Sequence, residues 1–134
     1  MANDTYIYSV GKRKTSVATV RFYQGDPTGD ITVNDMPMKE YLDKDALLED
    51  TVTFPLRIAE KMKAGRFSVK VAGGGRQAQA MAIRYGLARV LVKAFPEVKP
   101  QLKIYSLLTC DARKVERKKP GLLKARRSPQ WSKR

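Results

Sequence analysis

The last 23 residues cannot build a hydrophobic core, and this restricts everything the chain can fold into. Residues 112–134 hold ten basic side chains (Arg113, Lys114, Arg117, Lys118, Lys119, Lys124, Arg126, Arg127, Lys133 and Arg134) against Glu116 alone. Their apolar residues are few, and Pro120, Gly121 and Pro129 interrupt any long helix. Such a composition predicts disorder in isolation and ordering on a partner. Fully extended, the segment would reach about 75 Å. It reads as an arm, so any core must come from residues 1–111.

That first part looks ordinary. It carries 17 basic and 12 acidic side chains, and the whole chain of 134 residues is 43% hydrophobic, enough for one compact domain. The total charge of +14 points to a polyanionic partner, either nucleic acid or an acidic membrane surface. With no histidine, every Ser-His-Asp or Cys-His constellation is excluded, as is the usual imidazole metal ligand. The lone Cys110 excludes an intrachain disulfide and a CxxC zinc cluster, and reads as a buried small hydrophobe. Asp43, Asp45, Glu49 and Asp50 read as helix N-terminal and surface charge rather than acid-base groups. No enzyme, metal, cofactor or small-molecule substrate is expected. The opening MANDTYIYSV has no cationic region followed by an apolar stretch, and no apolar run nears the ~18 residues of a membrane span. The expectation is a soluble cytoplasmic protein.

Hydrophobic periodicity gives the elements. Tyr6 to Val10 reads as a strand broken by Gly11. Ser16 to Tyr23 alternates, with Ala18, Val20 and Phe22 on one face. A turn at Gly25, Asp26, Pro27 and Gly29 precedes a third strand, Ile31 to Val33, ended by Asn34-Asp35; together these suggest an antiparallel meander. One or two short helical pieces fall between Pro37 and Leu48, and a helix capped by Thr53 runs to Gly65 with Pro55 in its first turn. Phe67 to Ala72 alternates again, a long helix covers about Arg76 to Phe95, and another covers about Val98 to Leu107, although Ile104 to Cys110 also suits a strand. The order predicts an α+β fold, helices packed on one face of a mixed sheet.

Two clusters suggest phosphate contact. Gly11-Lys12-Arg13-Lys14 lies between two strands, where adjacent cations either sit in a solvated loop or meet phosphates. Gly73-Gly74-Gly75 lies between a strand and a helix. Gly73, Gly75 and Ala78 match G-x-G-x-x-A, but no acidic residue follows at the spacing a dinucleotide fold needs, and a P-loop GKT or GKS is absent. Two readings remain: a tight backbone turn, or amides that meet a nucleic-acid phosphate together with Arg76. Arg84, on an apolar stretch of the long helix, either snorkels, pairs with an acid or faces RNA. Arg89 and Lys93 read as a solvent-facing stripe. Trp131 either stacks on a nucleobase or wedges into a protein or RNA crevice.

GKRKTSVATV, VAGGGRQAQAMAIRYGLARVL and DARKVERKKPGLLKARRSPQWSKR stand in the order and spacing of one family. The chain resembles small-subunit ribosomal protein nine of the bacterial type, departing from its common Gly, His and Phe at Ala78, Tyr85 and Trp131. The resemblance implies a fold like the second domain of ribosomal protein five, an α+β sandwich with a left-handed crossover, plus an extended basic C-terminal tail. It implies a globular domain over 1–111 and an RNA-binding tail over 112–134. The implied role is structural, in the head of the small ribosomal subunit, in contact with ribosomal RNA and neighbouring head proteins and not with a membrane. Lys12, Arg13, Lys14, Arg76 and Arg84 then join the ribosomal-RNA residues that the motif assigns from Arg113 to Arg127: Arg113, Lys114, Arg117, Lys118, Lys119, Lys124, Arg126 and Arg127. Ser132, Lys133 and Arg134 would reach P-site transfer RNA during translation.

Overall fold

In the computed structural model, which describes residues 5–26 and 28–134, five strands and four helices follow one another along the chain. They are β1 (Ile7–Arg13), β2 (Ser16–Tyr23), β3 (Ile31–Val33), β4 (Met36–Pro37), α1 (Met38–Tyr41), α2 (Ala46–Ile58), β5 (Arg66–Ala72), α3 (Arg76–Ala94) and α4 (Lys99–Ile104), with a 3-10 turn at Pro96–Val98. The fold is α+β. Its sheet is mixed, ordered β1-β2-β5-β3-β4, with β3 parallel to β5 and every other pairing antiparallel.

This order corrects the meander expected from the sequence. β5 inserts between β2 and β3, because its seven residues match β2 along Val17↔Ala72 to Tyr23↔Arg66, whereas β3 has only three residues to pair. The outer strand β4 follows β3 through a tight turn, with Asn34 and Asp35 both at positive φ (49° and 66°). Asn34 also continues the β3–β5 ladder with its side chain. Its Nδ2 donates to the Val71 carbonyl at 3.1 Å, and its Oδ1 accepts from the Val71 amide at 2.9 Å.

The core lies between the sheet and the helices. Ala18, Val20 and Phe22 of β2 and Phe67, Val69 and Val71 of β5 point inward, as their alternation predicts. The Phe22 and Phe67 rings stack at 4.8 Å, and Leu56, Ile83, Leu87, Leu91 and Leu102 close the core from the helical side. The central helix α3 packs on both the sheet and α2, which explains why its buried residues spread beyond one stripe.

Gly11 does not break β1, as the sequence suggested; it lies inside the strand where α3 crosses. A Cβ there would run into the carbonyl oxygen of Ala82 and the backbone nitrogen of Gly86. Ser9, two residues earlier, donates to the Gly86 carbonyl at 2.6 Å. Glycine at 11 therefore serves close packing rather than termination.

The second helix also begins earlier than expected. Asp45, not Thr53, is the N-cap and accepts from the Leu47 amide at 3.0 Å. Thr53 lies within the helix, its hydroxyl donating to the Glu49 carbonyl at 2.9 Å, and Pro55 interrupts the helical ladder at a single position. Ile104 ends a helix rather than starting a strand. Pro27, named in the expected turn, falls outside the described residues.

Two side-chain expectations also change. Cys110 is exposed, not buried. Arg89 and Lys93 are not a free stripe: each donates to a carbonyl of β1, Arg89 to Val10 and Lys93 to Tyr8, both at 2.8 Å. As a sheet edge, β1 leaves backbone acceptors unpaired, and the neighbouring helix supplies the missing donors.

Candidate nucleic-acid interface

The hairpin between β1 and β2 has only two connecting residues, since Arg13 pairs with Ser16. Lys12 and Arg13 therefore belong to β1, and only Lys14, at φ 51°, lies in the turn. Lys12 is exposed on the sheet face opposite the helices, with Val17 as its cross-strand neighbour.

The three glycines close against this hairpin tip. Gly73 and Gly74 adopt φ of +77° and +69°. A Cβ at Gly73 would lie 2.5 Å from the Thr15 carbonyl oxygen, and one at Gly74 would strike the Ser16 hydroxyl. Ser16 in turn donates from its hydroxyl to the Gly73 carbonyl at 2.8 Å. Backbone conformation and lack of space both demand glycine at 73 and 74, so a tight turn accounts for them. Gly75 has open space around it. It precedes α3, whose first residue, Arg76, forms an ion pair with Asp43.

The chain returns to the same end after α4. Asp111 accepts from the Arg113 amide at 3.1 Å and from its guanidinium Nε and Nη2 at 3.0 and 2.8 Å. It also pairs with Arg13 at 3.2 Å. The hydrogen bonds from Arg113, aided by the charges of Arg113 and Arg13, hold its carboxyl well below the usual carboxylate range. Asp111 therefore ties the root of the C-terminal segment to the end of β1. Around this tie, Arg13, Lys14, Arg113 and Lys114 line one cleft of about 210 Å³. Residues a hundred positions apart in sequence thus face a common space.

Beyond this cleft, residues 112–134 form no helix or strand. Glu116 pairs with Lys119 and, at 3.1 Å, with Arg126, and the Leu123 amide donates to the Arg127 carbonyl at 2.7 Å. Arg117, Lys118, Lys124, Ser132, Lys133 and Arg134 are exposed, and Trp131 is 80% exposed. Arg84 lies elsewhere: its guanidinium sits 4.6 Å from the Phe54 ring centroid of α2, an aromatic partner rather than an acidic one.

One cationic surface escaped the sequence reading. The sheet face away from the helices carries Tyr8, Arg21 and Ser68 in one cross-strand row and Tyr23 beside Arg66 in the next. Arg21 lies over Tyr6 at 5.1 Å and Arg66 over Tyr23 at 4.6 Å. Lys12 and Lys70 extend the face, and β1, β2 and β5 contain no acidic residue. The available signal was the polar half of each alternation, where tyrosine and arginine recur.

These features combine point charges, bidentate guanidinium forks and partly exposed aromatic rings. That set suits phosphates and bases. Among the described residues no group of acidic or cysteine side chains is placed to hold a metal ion. A family model described as Ribosomal protein S9/S16 matches residues 11–134.

The chain belongs to this family.

The S9/S16 match takes in the hairpin cations, the glycine turn and the entire C-terminal segment. Members are structural ribosomal proteins without enzymatic activity. This S9/S16 chain is accordingly a ribosomal constituent that binds ribosomal RNA and takes part in translation.

Proposed function

We propose that this S9/S16 chain sits in the small-subunit head, in the cytoplasm, as a folded body (1–111) carrying an RNA-threading arm (112–134). The convergence of Arg13 and Lys14 with Arg113 and Lys114 at one cleft carries the reading. It provides a fixed cationic seat for a ribosomal-RNA phosphate where the arm begins. Lys12, Arg76 and Arg84 on the body, and Arg117, Lys118, Lys119, Lys124, Arg126 and Arg127 on the arm, extend the contact to ribosomal RNA. Their recognition acts through RNA shape and phosphate position rather than base edges. Trp131 stacks on a base, neighbouring head proteins flank the body, and Ser132, Lys133 and Arg134 reach P-site transfer RNA.

Removing Lys133 and Arg134 tests the last assignment. Both are exposed, so the melting temperature of the free protein is expected to stay unchanged while small subunits retain P-site transfer RNA less well. Unaltered retention would reject the transfer-RNA contact, and a large fall in melting temperature would place the terminus in the fold.

A further inference from the structure

Charge is unevenly divided over this chain. Residues 26–60 hold nine of its 13 acidic side chains but only three of its 27 basic ones, a net of −6, which leaves +20 for the rest. The acidic stretch spans β3, β4, α1 and α2, and β3 and β4 lie on the sheet side opposite β1. A cleft of about 740 Å³ opens there, bounded by β3, β4 and α2.

Its apolar lining includes Ile31, Pro37, Met38 and Met62, and its charged residues are Asp30, Glu49 and Asp50 against Lys39. Asp50 is engaged by Arg57 at 2.6 Å. Asp30 and Glu49 have no ion-pair partner among the described residues. Those residues also offer no grouping of acids able to hold a metal ion. With Asp30 and Glu49 set against Lys39, the cleft itself disfavours a polyphosphate. The occupant must therefore join positive charge to an apolar body, and the cleft has room for several side chains.

We propose that the cleft receives an extended Lys- or Arg-rich segment of a neighbouring ribosomal protein. An apolar side chain enters beside Met38 and Met62, and flanking cations meet Asp30 and Glu49. The proposal rests on the reading that this chain sits among other ribosomal proteins, and it adds where one of them docks.

The test places p-benzoylphenylalanine at position 62, where Met62 is exposed, in chain assembled into small subunits. After irradiation, adducts are identified by mass spectrometry. The expected adduct lies on a Lys- or Arg-rich stretch of another ribosomal protein. Its yield falls about tenfold with Asp30→Lys plus Glu49→Lys, as charge reversal at a complementary interface requires, while co-sedimentation persists. If that double variant does not fold, Glu49→Gln alone must lower the yield. Adducts to ribosomal RNA, to a second copy or to the chain's own residues 112–134 overturn the proposal. So does a yield indifferent to these substitutions, or no adduct in subunits that contain the chain. Wild-type chain missing from small subunits would remove the ribosomal placement itself, and this docking with it.

Discussion

Protonating Asp111 would deprive Arg13 and Arg113 of their shared counter-charge, and the tie at the root of the C-terminal segment would open. Its carboxyl is held below the usual range, chiefly by the Arg113 hydrogen bonds. A depressed acid stabilises fully above its unfolded value, about 3.9, and loses that contribution only as pH falls through the folded value. The tie should therefore survive acidification to about pH 4, where ordinary carboxylates already titrate. Carbon-13 NMR of the Asp111 carboxyl should show no titration midpoint between about pH 3.5 and 7; a midpoint there would contradict the geometry. Glycines give a second residue-scale expectation. Gly11→Ala sets a methyl against backbone atoms of Ala82 and Gly86, which cannot rotate away, and should cost at least about 2 kcal/mol in denaturant unfolding. Gly75→Ala meets nothing within 4 Å and loses only the preference for glycine at the N-cap of α3, so it should cost less, about 0.5–1 kcal/mol. Equal losses at both positions would mean that α3 does not cross β1 as described.

Among the elements, β1 depends on its neighbour helix for edge protection. Arg89→Met keeps the side-chain stem but removes the donor to the Val10 carbonyl, and should cost about 1.5 kcal/mol. Lys93→Met should cost less, because its bond to Tyr8 is more exposed. Both changes should speed amide exchange in β1, and unchanged exchange would show the edge is protected by other means. The sequence disclosed these elements unevenly. Alternation located β2 and β5 because each has one buried face, and the apolar spacing of Ile83, Leu87 and Leu91 located α3. It did not disclose that β5 separates β2 from β3, since that choice depends on pairing length across distant segments. Thr53 and Pro55 looked like a helix start because both residue types favour one, whereas Asp45 capped the helix two turns earlier. Arg89 and Lys93 looked solvent-facing because a backbone acceptor on another element leaves no trace in helical periodicity.

At the scale of the whole molecule, the charged C-terminal segment was legible from composition, but its attachment was not. No local pattern links Arg13 to Arg113; Asp111 joins them only after α4 brings the chain back to the hairpin. Truncation after Asp111 should leave the melting temperature within about 2 °C of the full chain, because the buried core contains no residue beyond 107. If about eight of the ten removed cations meet phosphates, the slope of log affinity against log salt for structured RNA should lessen by about 6. Titration at several salt concentrations measures this, and an unchanged slope would assign the phosphate contacts to the body.

The division of charge between the acidic and basic ends has a kinetic meaning as well. In the field of a folded RNA such a molecule experiences a torque before contact. It turns its β1 edge forward and its carboxylate-rich β3–β4 edge outward, over a range set by the Debye length, about 8 Å at physiological salt. Approaches led by the acidic edge gain less attraction than those led by β1, so the bias toward the correct pose begins while water still separates the two surfaces.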